Sequence, residues 1–498
     1  MAWMIRGALV LKSAEHEPER LDLVVEGDGI AAVGRNLDPA AHGAERVEDG
    51  DGKLLTPGLI NAHQHSHDRF DKGRFSPLPL EIWMALYNPP MSSRGWTPRE
   101  VYLRTLLGGM EMIRAGTTMV LDDVHHGLPL RRENVDAVYQ AYDDLGLRAD
   151  VGVAYADKPF YRGIAYLEEC LPAAFKAPSK HPVPSPAEIL ALWRDLGARW
   201  KGRVRAVLSP SGPQRCTDGF LQETWQLARE LGLPVLIHVL ETRIQALTAD
   251  VFYGRSMVEH MHGLGILDRH AVLIHGVWMS SSDLDLVAKH GAAIAHNPGS
   301  NLKLGSGIAP VPAMRARGIP VGLGTDNHNA NDSCSMLEAL KLAGLVHNAS
   351  DGDYTRWIGA REALGMATSG GAACAGLGKS LGSLEPGKRA DFLQWNLSSN
   401  AFLPLNHAVN QLVYCEQGGS LERVVVAGQV IYAGGRFARI DEAAIMAEIR
   451  DRLDVMRRKI LDTAATGEAL RPYLVRAYDL CMKDSRMVPY LGRCNHPE

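Results

Sequence analysis

Three histidines at alternate positions, His63, His65 and His67, close the stretch PGLINAHQHSH directly after an apolar run. Residues i and i+2 of an extended strand point to the same side, so His63 and His65 can reach one ion. Farther along, His238 and Glu241 end LPVLIHVLE, His275 ends AVLIH, His296 ends GAAIAH and Asp326 ends IPVGLGTD. Of these, His63, His65, His238 and Asp326 form an N3O set that suits Zn²⁺ and leaves a position for water. Fe²⁺ accepts the same ligand types. His67 lies past the strand end and is expected to line the pocket rather than to ligate.

These side chains need elements that bring them to one place. Eight apolar runs alternate with helical patterns: GLINAHQH, TTMVLDDV, LRADVGVAYAD, VRAVLSPSG, LPVLIHVLE, AVLIHG, GAAIAHNPG and IPVGLGTDN. Repeated β-α units of that number predict an α/β chain built on a TIM (β/α)8 barrel, whose strand ends converge on one mouth. Between the first two runs, TPREVYLRTLLGGMEMIRAG reads as a helix capped by Thr97 before Pro98 and stopped at Gly116.

Short Gly-bounded strands with Asp-Gly pairs at hairpin positions fill the first 55 residues, and a matching set appears in GSLEPGKRADFLQWNL and LERVVVAGQVIYAGGRFA. The expected organisation is a small β-sandwich domain built from both chain ends, 1–57 and 375–440, around a barrel at 58–374. A helical extension at 441–498 is expected to pack on the body of the protein or on a second subunit.

Composition narrows the function classes. With 22% charged residues and a net charge of −4, nothing basic enough for a nucleic-acid surface is present. No run approaches the ~18 apolar residues of a membrane span, and the N-terminus has no small-residue cleavage site. The seven cysteines are scattered, odd in number and without a C-x-x-C pair, which fits a reducing compartment and predicts a cytoplasmic location.

In combination and order, PGLINAHQH, HVLE, LIHG, HNPGSNLKLGSGIAPV, GTDNHNANDSCSML and LEPGKRADF resemble the amidohydrolase superfamily over nearly the whole chain. The likeness is to its mononuclear branch, which includes cytosine, guanine and S-adenosylhomocysteine deaminases and triazine hydrolases. This resemblance implies one divalent ion per chain on His63, His65, His238 and Asp326, whose water is the nucleophile. By the same resemblance Glu241 is the proton shuttle, and His275 binds the attacking water or the developing oxyanion. Asp326 would both ligate and accept a proton.

Substrate contacts are expected from His296, Asn301 and the loop around Lys303 and Ser306, with Asn331 and Asp332 in the loop after the eighth strand. Trp83, Tyr87 and Trp278 are candidate aromatic walls for a flat ring. Two segments depart from purine-type relatives: SHDRFDKGRF replaces a leucine-rich stretch, and LSPSGPQRCTD lacks a histidine followed by an aromatic residue. The first implies a different pocket floor, and the missing histidine points toward heterocycles of the triazine-hydrolase type.

The reaction implied is hydrolytic displacement of a leaving group, ammonia first, from a carbon of a nitrogen heterocycle. Halide, alkylamine or nitro would leave by the same machinery. Hydrolysis of a non-aromatic amide, urea or carbamate is the runner-up, but dinuclear relatives of that kind usually place a carboxylated lysine on strand four, and VRAVLSPSG has none. A non-catalytic scaffold would be expected to have lost ligands that are present here. The expected partners are a small heterocycle and water, with neither nucleic acid nor membrane, in a homo-oligomer.

Overall fold

The computed structural model describes residues 2–491 apart from 91, 487 and 489. Cys494 and the end of the expected helical extension lie outside the described residues. The other six cysteines are all unpaired.

All eight apolar runs form strands: Leu59–His65, Thr117–Val124, Arg148–Tyr155, Val204–Pro210, Val235–Val239, Ala271–His275, Ala293–His296 and Val321–Leu323, the last resuming at Asp326–Asn327. They pair in sequence order and in parallel, and Asp326–Asn327 pairs with Gln64–His65 of the first strand, which closes the barrel. Ile60, Ala62, Met119, Leu121, Val207, Leu236, Val272 and Ile274 cluster as a packed core within the strands. Helices cover the outer face, so both faces of each strand are buried and the runs are continuously apolar.

The eighth strand is interrupted at Gly324 and Thr325, where it is pressed onto the first. A Cβ on Gly324 would lie 2.2 Å from Asn297 Oδ1 and 2.8 Å from the His63 carbonyl. Thr325 N–H donates to that carbonyl at 3.0 Å, and Asn61 bonds Thr325 at both its N–H (3.1 Å) and Oγ1 (2.8 Å). This clamp fixes the distance between His63 and Asp326.

The two chain ends share one nine-stranded mixed sheet, joined where Lys53–Pro57 runs antiparallel to Phe392–Asn396. Trp3 and Phe392 are not on neighbouring strands, yet their rings meet at 6.1 Å, so the sheet folds over its own core. The hairpin turn after Glu19–Glu26 is Gly27–Asp28, one residue earlier than the Asp-Gly reading, with Gly27 at φ 58°. The second Asp-Gly region makes no hairpin. Ala44–Asp49 and Lys53–Pro57 both lie parallel to Ala2–Val10, because Gly50 sits where a Cβ would come within 2.7 Å of Ala8.

The helix Pro98–Arg114 starts with a capping box between Thr97 and Glu100, and Gly116 follows its end at φ 81°. The last element among the described residues is a 42-residue helix, Glu442–Lys483, capped by Asp441. It buries Leu470, Leu474, Ala477 and Cys481 together with Ile82, Ala85 and Leu86 of the short helix Leu80–Tyr87. Gly467 makes the approach possible, since a Cβ there would lie 2.9 Å from the Ala85 carbonyl. Among the described residues, no helix is long and apolar enough to cross a membrane.

Candidate active site

At the C-terminal mouth of the barrel, His63, His65, His238, Glu241, His275 and Asp326 come together. The rings of His63 and His65 are 4.6 Å apart, those of His63 and His238 5.1 Å, and those of His65 and His238 5.4 Å. His63 Nε2 and His65 Nε2 each lie 3.3 Å from Asp326 Oδ1. His275 Nε2 faces Glu241 Oε2 at 3.4 Å and Asp326 Oδ2 at 3.8 Å.

The backbone bends sharply at this rim. Leu240, His275 and Asp326 all have positive φ (54°, 76° and 61°), a region that costs a residue with a side chain about 1–3 kcal/mol and is found at functional sites. The three fall where strands five, six and eight end, and they turn the polar side chains inward.

Each imidazole has a defined orientation. His65 Nδ1 donates to the Asp123 carbonyl at 2.5 Å and His238 Nδ1 to the Ser211 carbonyl at 3.0 Å, which leaves both Nε2 atoms free. His63 is fully buried with neither ring nitrogen hydrogen-bonded, and Asp326 Oδ1 is likewise buried without a hydrogen-bond partner. Buried lone pairs without donors are costly, and a cation among them removes that cost. The chemistry of the set fits a divalent cation: three imidazoles and a carboxylate, with outer hydrogen bonds that orient two of the imidazoles.

Electrostatics point the same way. Burial, reinforced by charge on His65, lowers His63 to about 4, and burial holds His238 well below the usual range. Both therefore keep the neutral form that binds metals. His65 is carried up to about 10 against its burial by Asp326 and Asp123, so in the metal-free site its Nε2 holds a proton that a bound cation would displace. Against its own burial, Asp326 is held well below the usual carboxylate range by His63 and His65. Glu241 is pushed well above its usual range by burial and by the negative charge of Asp326 and Glu81.

A match to the amidohydrolase family model spans residues 54–431. The chain belongs to the amidohydrolase family. Among relatives of this amidohydrolase, the 5-methylthioadenosine/S-adenosylhomocysteine deaminase of Nitratidesulfovibrio vulgaris is 36% identical over 88% of this chain and 92% of its own length. The enzyme of that name from Thermococcus kodakarensis is 32% identical over 86% of this chain and 94% of its own. Similar solved structures include a zinc-bound adenosine deaminase from Xanthomonas campestris (TM-score 0.79, 26% identity, 92% of this chain and 98% of the other). Another is an atrazine chlorohydrolase from Arthrobacter aurescens complexed with zinc (TM-score 0.81, 25% identity, 91% and 99%).

The remaining expected residues of the amidohydrolase site fall in different surroundings. Asn301 is buried with Oδ1 2.9 Å from His275 Nδ1, so it braces that ring. His296 packs its ring 5.9 Å from His347, and neither of its nitrogens is hydrogen-bonded. Trp83 is buried, stacked 4.5 Å from Tyr87 and packed with Leu304 and Ala330. His67 receives the His125 N–H at Nδ1 (3.1 Å) and donates from Nε2 to the Tyr87 hydroxyl (2.6 Å).

Two cavities flank the cluster. One of about 440 Å3 is lined by His67 and Tyr87, and one of about 400 Å3 by Glu81, Trp278, Lys303 and Ser306. Ser306 Oγ lies 3.4 Å from Glu241 Oε1. Lys303 pairs with Asp332, which ties the loops after strands seven and eight, and Asn331 bonds the Ser333 carbonyl.

Sequence reasoning missed Asp123. Its carbonyl orients His65, its Oδ2 lies 3.7 Å from His238 Nδ1, and its Oδ1 accepts from Ser209 Oγ at 2.5 Å. The signal was the Asp122-Asp123 pair at the end of an otherwise apolar strand. Glu81, buried and bonded to Thr242 Oγ1 at 2.5 Å, was missed as well.

Proposed function

We propose that this amidohydrolase is a deaminase that uses a divalent metal ion, one Zn²⁺ per chain, to release ammonia from an amino-bearing carbon of a nitrogen heterocycle. The observation that carries this reading is the arrangement of Glu241, His275 and Asp326 beside the donors His63, His65 and His238. The names of the deaminase relatives support the same reaction class.

His63, His65, His238 and Asp326 would hold the ion. When bound, it lowers the pKa of water toward neutrality and supplies charge against a developing oxyanion. Burial and the charge of Asp326 push Glu241 toward its protonated form, so it can donate to a ring nitrogen as attack proceeds. Asp326, held ionised, is the complementary acceptor. His275 donates from Nδ1 to Asn301, so its Nε2 lone pair faces the reacting centre as an acceptor that aligns a water proton. After attack on the ring carbon, Glu241, now ionised, takes the hydroxyl proton of the tetrahedral carbon and passes it to the amine, which departs as ammonia as the carbonyl forms; the proton accepted by Asp326 then returns to Glu241.

The leaving group need not be an amine, and the likeness to an atrazine chlorohydrolase supports halide displacement as a second reading. We propose that the chain works in the cytoplasm as a homo-oligomer, for which exposed Leu453 and Leu461 on the long helix offer apolar surface. The test is a screen of zinc-loaded protein on matched amino and chloro purines, pyrimidines and triazines, with ammonia and chloride both measured. Ammonia release that stops on chelation and returns with Zn²⁺ supports the proposal. Metal-loaded protein inert on the whole panel contradicts it.

A further inference from the structure

Past the long helix the chain returns to the mouth of the barrel. Arg243, two residues after Glu241, donates to the carbonyls of Cys481 (2.6 Å) and Asp484 (2.9 Å), and Arg486 lies 3.6 Å from Asp250 of the helix Arg243–Tyr253. The end of the long helix is thereby tied to the segment that carries Glu241. Farther on, Tyr490 reaches the loop after strand seven. Its hydroxyl accepts from Ile308 N–H at 2.7 Å and donates to the Ile308 carbonyl at 3.3 Å. Gly307 makes room for it: its φ is 119°, and a Cβ there would lie 2.6 Å from Tyr490 Oη.

The Tyr490 ring stacks 4.3 Å from that of Trp278. Trp278 in turn donates from Nε1 to the Ser306 carbonyl at 2.7 Å and from its backbone N–H to the carbonyl of Leu240, the residue before Glu241, at 2.8 Å. Ser306 Oγ lies 3.4 Å from Glu241 Oε1, and Ser306 N–H donates to the carbonyl of Asn301, which braces His275. Residues 306–310 belong to neither helix nor strand, so contacts of this kind must supply the order that a backbone ladder would give.

We propose that Tyr490 is a positioning residue for the proton transfer: through Ile308 and Trp278 it holds the loop 306–308 so that the Ser306 hydroxyl fixes Glu241. With Oε1 held by Ser306, the other carboxyl oxygen is the one presented toward His275, at 3.4 Å. A carboxyl released from that bond samples orientations of which few can deliver a proton. Tyr490 acts on the loop and not on the reacting atoms. Its part in turnover rests on the deaminase reading above, whereas its hold on the loop stands on the hydrogen bonds to Ile308 alone.

The test compares native protein, Tyr490→Phe, Ser306→Ala and the double variant, all zinc-loaded. Phe keeps the ring on Trp278 and removes only the hydroxyl. Amide hydrogen exchange in peptides that cover Ile308 should be faster in Tyr490→Phe by about three- to tenfold, the worth of one lost hydrogen bond. The substrates are the matched amino and chloro rings of the panel above that the native enzyme turns over fastest. The kcat for ammonia release should fall by about three- to tenfold, with KM little changed and metal content native. Chloride release, which needs no proton on the leaving group, should fall less. Ser306→Ala should lower kcat as well, and Tyr490→Phe should then add nothing, because the hydroxyl it positions is gone. Losses that multiply in the double variant overturn the proposal, and so does a rise in KM alone. Native exchange at Ile308 in Tyr490→Phe overturns it too, as does native kcat. Failure of the deaminase reading would show separately, as native enzyme that releases no ammonia, and the exchange result would then decide the hold on the loop by itself.

Discussion

His275 is held between two kinds of partner: Nδ1 lies 2.9 Å from Asn301 Oδ1, while Nε2 lies 3.4 Å from Glu241 Oε2 and 3.8 Å from Asp326 Oδ2. The amide oxygen of Asn301 accepts only, so the ring proton is fixed on Nδ1 and the lone pair on Nε2 is aimed at the two carboxyl groups. The ring is positioned from behind by a residue that lines neither of the flanking cavities.

Asn301→Ala removes that support and frees the tautomer. Loss of a bracing hydrogen bond of this kind costs about 10- to 100-fold, here expected in kcat with KM little changed. Metal content by elemental analysis should stay at the native level. A variant with native kcat would show that His275 needs no support from Asn301.

Asp123 stands behind two of the proposed ligands, through its carbonyl on His65 and its carboxylate on His238. Asp123→Asn keeps the shape and the backbone contact but removes the charge. The expected effect is about 10- to 100-fold weaker zinc binding in a chelator competition. Unaltered affinity would limit the role of Asp123 to packing.

Gly467→Val tests the long C-terminal helix as a support of the site. The new side chain would meet the Ala85 carbonyl at 2.9 Å and Leu86 Cα at 3.0 Å, backbone atoms that cannot turn away. Overpacking of this sort costs about 1–3 kcal/mol. A lowered Tm is therefore expected, together with a raised KM, because the displaced helix Leu80–Tyr87 carries Tyr87 at the cavity wall. An unchanged Tm would mean that the two helices separate without cost.

The barrel was legible because each strand is buried on both faces and so reads as an unbroken apolar run ended by a polar residue. His63, His65, His238, His275 and Asp326 stood out for that reason. The break at Gly324 was not legible, since nothing local announces that this glycine lies against the backbone of His63, more than two hundred residues away in the chain. Asp123 was hidden by Asp122 beside it, as two adjacent acids at a strand end look like the start of a solvated loop. Trp83 shows the converse limit, because a tryptophan on a short apolar helix has the same sequence signature whether it faces a ligand or the core.

The central claim is that Glu241 carries the proton that lets an amine leave the heterocycle. Its most direct test is zinc-loaded Glu241→Gln, with metal content and turnover measured on an amino and a chloro version of one ring. Gln keeps the size and the hydrogen bond to Ser306 but holds no transferable proton. The account predicts native metal content, an ammonia-release rate lower by about 10²- to 10⁴-fold, and a smaller loss for chloride, which departs without a proton. Equal losses on the two rings, or near-native ammonia release by the variant, would contradict it.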